Sequence, residues 1–184
     1  MIGAYMVGAY PPGYVRGNLT ATFDLEKKEN GHSIIEVVSY FDRALIEKLQ
    51  RFPDDLRVID RRKFEELIAE LWVGFGYEVE LTQRTRDGGK DIIAIKRQEV
   101  DVRFLIECKR PDPGKPVSVS TVRELYGVIC DDRASKAILV TTTYFSPDAK
   151  IFFERHQWEL EPKAFEDIQI WINKYLGETL IKSP

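Results

Sequence analysis

Between residues 60 and 109 the spacing of apolar residues changes period, and no other feature limits the fold of this chain as tightly. Phe64, Leu67, Ile68, Leu71, Trp72 and Phe75 recur at intervals of three and four, the pattern of a helix that buries one stripe. Asp60 offers a side-chain acceptor to the first N–H groups of that helix, and Gly76 can close it. The period then drops to two. Residues 78–82, 91–96 and 103–109, rich in Ile, Val and Phe, predict strands. Residues 119–130 predict a helix and 137–142 a buried strand. Ser146 caps a helix that has Pro147 in its first position and runs to residue 155. A short strand over 158–160 and a helix over 165–176 complete the series. The order α-β-β-β-α-β-α-β-α predicts an α/β sandwich, with helices flanking a mixed central β-sheet.

The 184 residues are enough for one core and too few for two. Ahead of the periodic region, the first twenty residues are rich in Gly, Tyr and Pro and have no helical spacing. Residues 20–26 and 33–40 predict a hairpin about Asn30-Gly31, and residues 42–51 a short helix ended by Pro53. This gives an N-terminal arm over 1–59, a main domain over 60–176 and a tail over 177–184.

No apolar run approaches the roughly 18 residues that a membrane span needs, and the start of the chain lacks the pattern of a secretion signal. A soluble, cytoplasmic protein is expected, with Cys108 and Cys130 as reduced thiols in core elements. Two Cys without a CxxC pair and two His without HxxxH exclude a zinc cluster or zincin site. Net charge is −3, a weak signal for nucleic acid, but residues 84–116 carry nine Lys or Arg against six Asp or Glu. The one positive segment also holds the carboxylates of interest.

Strand alternation puts Glu107 and Lys109 on one face of the 103–109 strand and Ile106 and Cys108 on the other. Asp91 opens the preceding strand directly after Gly88-Gly89-Lys90, so if the two strands pair, Asp91 and Glu107 converge. Two such carboxylates with a nearby backbone carbonyl, here that of Cys108, make an all-oxygen site suited to Mg²⁺, with Mn²⁺ expected to substitute. Lys109 beside them would position or deprotonate a water attacking phosphate. The competing reading of Glu107 and Lys109 is an ordinary surface ion pair. On the helix, Glu65 lies about 100° from Phe64 and so flanks the buried stripe, from where it can lean over the sheet edge toward Asp91.

Here the residues resemble a known family. Phe64-Glu65, the run Gly76-Tyr77-Glu78-Val79, Asp87-Gly88-Gly89-Lys90-Asp91, Glu107-Cys108-Lys109-Arg110, Val122-Arg123-Glu124-Leu125-Tyr126-Gly127 and Thr141-Thr142 through Phe145-Ser146 resemble, in order, the Mrr-like restriction endonucleases. These belong to the PD-(D/E)xK nuclease superfamily, and the likeness spans residues 60–171. It implies a restriction-endonuclease-like fold and a Mg²⁺-dependent DNA endonuclease, with Asp91 and Glu107 as metal ligands, Lys109 at the water and Glu65 assisting. It also points to Arg123 facing the phosphate from the next helix, and to Arg84, Arg86, Lys90, Arg110 and Lys115 as DNA phosphate contacts.

The implied role is restriction of foreign, modified DNA. Repair or junction cleavage by the same fold, or a non-catalytic DNA-binding or scaffolding module, are the competing readings. DNA is the expected partner, and residues 1–59 are a candidate surface for a homodimer or a partner protein.

Overall fold

In the computed structural model of the chain, which describes residues 41–82 and 89–181 and side chains to residue 177, five strands form one sheet in sequence order. They are β1 (Glu78–Leu81), β2 (Ile92–Lys96), β3 (Val102–Lys109), β4 (Lys136–Thr141) and β5 (Leu160–Lys163). The first three run antiparallel; β4 pairs with β3, and β5 with β4, in parallel. Connection length explains the switch. A short turn joins β2 to β3, whereas the helices α3 (Val119–Asp132) and α4 (Pro147–Arg155) carry the chain back before β4 and β5. The remaining helices are α1 (Arg43–Arg51), α2 (Arg61–Gly74) and α5 (Phe165–Ile181), and a 3-10 turn spans Pro53–Arg57.

Alternation along the strands divides the interior into two cores. Ile92, Ala94, Ile106, Cys108, Ile138 and Val140 pack with α1, α2 and α5, where Phe64, Leu67 and Ile172 are fully buried. Ile93, Leu105, Ala137 and Leu139 face the other way, against Val122, Leu125 and Ile129 of α3 and Phe153 of α4. The result is the helix–sheet–helix sandwich that the periods predict, with a mixed sheet in the middle.

The helix ends follow their local chemistry. Asp60 accepts hydrogen bonds from the backbone N–H groups of Arg62 and Lys63 at 2.9 and 3.2 Å. Ser146 accepts from Ala149 at 3.2 Å, with Pro147 in the first turn where its missing N–H costs nothing. Gly76 follows α2 at φ +84°, the left-handed conformation that ends many helices.

Three expectations change. The last strand is residues 160–163, not 158–160, and it contains Pro162; an edge strand needs ladder bonds on one side only, where proline is tolerated. The closing helix continues past residue 176 to Ile181, into the expected tail. The boundary at 59/60 also fails, because Phe41, Ile46, Leu49 and Leu56 are buried in the same core as α2 and α5. All described residues fall in one compact unit, residues 34–184. The stripe on α1 is one helical turn long, too short to reveal that attachment in the sequence. The hairpin expected over 20–40 lies outside the described residues, as do Arg84, Arg86 and Asp87. No helix among the described residues is long and apolar enough to cross a membrane.

Candidate active site

At the sheet end where β2 begins and β3 finishes, the register Ile92↔Ile106 brings Asp91 beside Glu107. The Asp91 N–H donates to the Ile106 carbonyl at 3.0 Å. Its carboxylate then takes over where the ladder stops, with Oδ2 accepting from the Cys108 N–H at 2.7 Å. Thr82, at the end of β1, fastens the same segment: its N–H reaches the Asp91 carbonyl at 2.8 Å and its hydroxyl donates to the Lys90 carbonyl at 2.8 Å. Asp91 is therefore held by both neighbouring strands.

Glu107 is buried, and the Lys109 ammonium donates to its Oε1. Alternation puts both on the α3 side of the sheet, while Cys108 turns into the opposite core, as expected. The Cys108 N–H points to the β2 edge, and the carbonyl of the same residue lies on that edge too, beyond the last rung of the ladder. Both cysteines are free thiols, with Cys108 buried and Cys130 exposed.

Among the described residues, acids outweigh bases in the field at Asp91. Burial, then the charge of Glu107 and more weakly that of Glu65, push Asp91 up to about 7 against the opposing pull of the Cys108 N–H and Lys109. Burial alone would lower Lys109, but its hydrogen bond to Glu107 and the charges of Glu107, Asp91 and Glu124 outweigh it and raise the lysine further. Lys109 is thus held as a cation that donates a hydrogen bond to Glu107. Burial first, and then the same carboxylates, push the Cys108 thiol well up, so it is no nucleophile.

Glu65 reaches this field from α2, as its angle on the helix suggests, but it is not idle. Its Oε2 accepts from Arg62 at 2.8 Å, and Arg62 also donates to the Thr82 carbonyl at 3.2 Å. Glu65 therefore adds negative potential near Asp91 and helps to anchor the end of β1. Among the described residues no group of three or more His, Cys, Asp or Glu is set to hold a metal ion. The donors present are two carboxylates and a backbone carbonyl, all hard oxygens. That set suits Mg²⁺, which keeps several waters and takes one or two protein carboxylates. Burial is the larger part of the upward push on Asp91; the rest is like-charge repulsion from Glu107 and Glu65, which a dication would relieve.

Of the basic residues expected to meet DNA, those among the described residues each have a contact within the chain. Lys90, expected as a phosphate contact, is half-buried and ion-paired to Asp132. Lys115 is exposed and pairs with Asp112 at 2.8 Å. Arg110 donates to the Arg57 carbonyl at 3.4 Å. Arg123 sits over the Phe152 ring at 5.7 Å, on the outer side of α3 with Arg155 and Asp148, rather than beside Asp91 and Glu107. The sequence displays these charges without their tertiary counterparts. It also gave no sign of Arg62 and Thr82 as anchors, of Glu124 facing Lys109, or of Asp132 holding Lys90. Helical arithmetic from the buried positions of α3 could have found Glu124 alone.

Comparison with known proteins agrees with this architecture. The Mrr_cat restriction endonuclease family model matches residues 56–170. The uncharacterised protein y4cE of Sinorhizobium fredii is 26% identical over 107 residues, which cover 58% of this chain and 27% of that protein. The chain therefore spans about a quarter of that relative's length. Among solved structures, the DNA modification-dependent restriction endonuclease AspBHI superimposes with a TM-score of 0.51 at 22% identity, covering 76% of this chain and 40% of that one. The MspJI restriction endonuclease, solved in complex with a 27-mer oligonucleotide, gives 0.51 at 20% identity over 73% of this chain and 31% of its own. With the match extending over more than half its length, the chain belongs to the Mrr_cat restriction endonuclease family, and it shares the fold of these neighbours.

Proposed function

We propose that this chain carries a Mg²⁺-dependent endodeoxyribonuclease site that hydrolyses DNA phosphodiester bonds with water and no covalent intermediate. One observation supports it above the rest: Asp91 and Glu107 converge from adjacent strands in a half-buried setting that raises Asp91 to about 7, with protonated Lys109 on Glu107. Asp91, Glu107 and the Cys108 carbonyl would hold the metal. A divalent cation bound there supplies Lewis-acid polarisation and an acidified water. Lys109 orients the attacking water and offsets negative charge growing on the phosphate, while Glu65 keeps the local potential negative enough to hold a cation. Substrate contact falls to cations around this edge, with Arg110 and Lys115 available from the described residues and Arg84 and Arg86 from the sequence, while Arg123 on the outer side of α3 would meet DNA farther from the cut.

The proposed biological role is restriction of foreign DNA, with dependence on base modification. Family membership supports restriction, and the modification-dependent character of AspBHI, whose fold this chain shares, suggests the substrate. The chain spans under half of AspBHI, so selection of modified DNA is assigned to residues outside the catalytic sheet. Methylated and unmethylated plasmid, each incubated with Mg²⁺ or with EDTA, tests the reading. Cutting in Mg²⁺ that stops in EDTA and in Lys109→Ala is expected, with methylated plasmid preferred. Cutting that persists in Lys109→Ala would refute the assigned chemistry.

A further inference from the structure

Two contacts converge on the two residues that precede Asp91, a third reaches Lys109, and all come from one helix face. Glu124, Val128 and Asp132 are spaced four apart on α3 and so lie along one side of it. A Cβ on Gly89 would meet Val128 Cγ2 at 3.0 Å, so the turn lies hard against the helix, at φ +83°. The Lys90 ammonium pairs with Asp132, with side-chain exposures of 18% and 22%. Glu124 contributes to the field at Lys109. The same face therefore addresses both arms of the site.

Asp132 is an unusual choice on local grounds. It is the last residue of α3, where the partial negative charge of the helix end disfavours an acid, and no basic residue stands in that turn. Asp131 precedes it, adding a like charge. The position is stabilised from outside the helix. Besides Lys90, Arg103 of β3 donates to the Asp132 carbonyl at 3.0 Å and lies 4.0 Å from its Oδ2. Asp132 thus ties β3 to residue 90. The β-ladder fixes Asp91 itself through Ile106 and Thr82. It places no hold on the Lys90 side chain, which is where the helix takes over.

We infer that the Lys90–Asp132 ion pair, seated by Gly89 against Val128 and backed by Arg103, is a brace that positions the Asp91 carboxylate, and that Lys90 and Asp132 are positioning residues rather than DNA contacts. The inference rests on the functional reading above, because positioning Asp91 matters only if Asp91 takes the metal. Removing the pair would loosen the peptide ahead of Asp91, let the carboxylate turn away from Glu107, and weaken cation binding while leaving the fold intact.

The test uses the full chain and Mn²⁺ alone as probe, with calorimetry for affinity, thermal melting for folding, DNA binding in EDTA, and plasmid cleavage in Mg²⁺. Lys90→Met, Asp132→Asn, the exchanged pair Lys90→Asp with Asp132→Lys, and Asp91→Ala are compared with the parent. Each single brace variant is expected to bind Mn²⁺ about tenfold more weakly and to need correspondingly more Mg²⁺ for half-maximal cleavage. DNA binding in EDTA should stay within about twofold, and the exchanged pair should regain most of the Mn²⁺ affinity. Parent-like Mn²⁺ affinity in folded Lys90→Met, alongside its loss in Asp91→Ala, would overturn the brace and leave the functional reading standing. Parent-like affinity and cleavage in Asp91→Ala would overturn the functional reading and the brace with it. Weaker DNA binding in EDTA with unchanged Mn²⁺ affinity would return Lys90 to the phosphate contacts and likewise overturn the brace.

Discussion

Two half-buried carboxylates on one sheet are treated in opposite ways. Glu161 on β5 accepts from Lys136 at 3.0 Å and from Lys163 at 2.7 Å. Burial pushes its carboxyl up, but the hydrogen bonds from Lys163 and Lys136 outweigh burial and leave it below the ordinary range. Asp91 is set among other acids, its one lysine neighbour is committed to Glu107, and it rises to about 7. The β5 end is electrostatically finished, with Lys163 further engaged over the Trp171 ring at 5.9 Å. Among the described residues, acids outweigh bases in the field at the β2–β3 end. A pair that is complete contributes to the fold; on the function proposed above, the acidic cluster would take its cation from solution.

The widest contrast between the two ends should appear in catalysis. Lys109→Ala is expected to slow plasmid cleavage in Mg²⁺ by about 10²- to 10⁴-fold, the range for losing a group that handles the proton or developing charge. Lys163→Ala, which breaks an ion pair of equal quality, should leave the rate within about threefold. Comparable losses in the two variants would erase the distinction.

Stability against pH separates the ends next. The folded value for Asp91 lies above its ordinary 3.8. Between about pH 4 and 7 the folded chain holds a proton that the unfolded chain has lost, so in EDTA this group's contribution falls as pH rises through that window and levels off above it. Asp91→Asn should therefore stabilise the metal-free protein at pH 8, by about 2 kcal/mol, and much less at pH 5, read from denaturant midpoints. For Glu161 the sign reverses. Its folded value lies below the ordinary 4.5, so its contribution is present above that pH and is lost as pH falls through the lower folded value. Glu161→Gln should cost about 1 kcal/mol or less at pH 7, since its side chain is 35% exposed, and the cost should vanish near pH 3. A Glu161→Gln variant that gains stability at pH 7 would show that end to be unfinished too.

A smaller effect concerns the turn before Asp91. Gly89→Ala puts a side chain at φ +83° and against Val128, which should lower the melting temperature by a few degrees and weaken Mn²⁺ binding severalfold. Gly76→Ala has a similar φ but open space around it, and should lower the melting temperature without changing Mn²⁺ affinity. Equal losses of Mn²⁺ affinity in both would mean that the close approach to Val128 contributes nothing to the site.

How much of this was legible in the sequence follows from which interactions are local. The stripe from Phe64 to Phe75 and the caps at Asp60 and Ser146 are decided within a turn of helix and stood in the sequence as they stand in the structure. Alternation in β3 placed Glu107 and Lys109 on one face because a period of two admits no other arrangement, and the convergence of Asp91 required only that β2 pair with β3. What the sequence could not carry was pairing at a distance. Lys90 and Asp132 are 42 residues apart, and as letters they are one more lysine and one more aspartate. Arg57 and the Thr142 carbonyl, 85 apart, meet at 3.1 Å for reasons that lie wholly in the packing of the 3-10 turn against β4. β5 was misplaced because Pro162 reads as a breaker unless the strand is known to be an edge.

The most direct test of the contrast between the two ends is a Mg²⁺ titration at pH 8 followed by thermal melting, in the parent, Asp91→Asn and Glu161→Gln. Millimolar Mg²⁺ should raise the melting temperature of the parent and of Glu161→Gln by several degrees and leave Asp91→Asn unmoved. An equal rise in all three proteins, or none in the parent, would contradict the claim that Asp91 and Glu107 form the end of the sheet that awaits a cation.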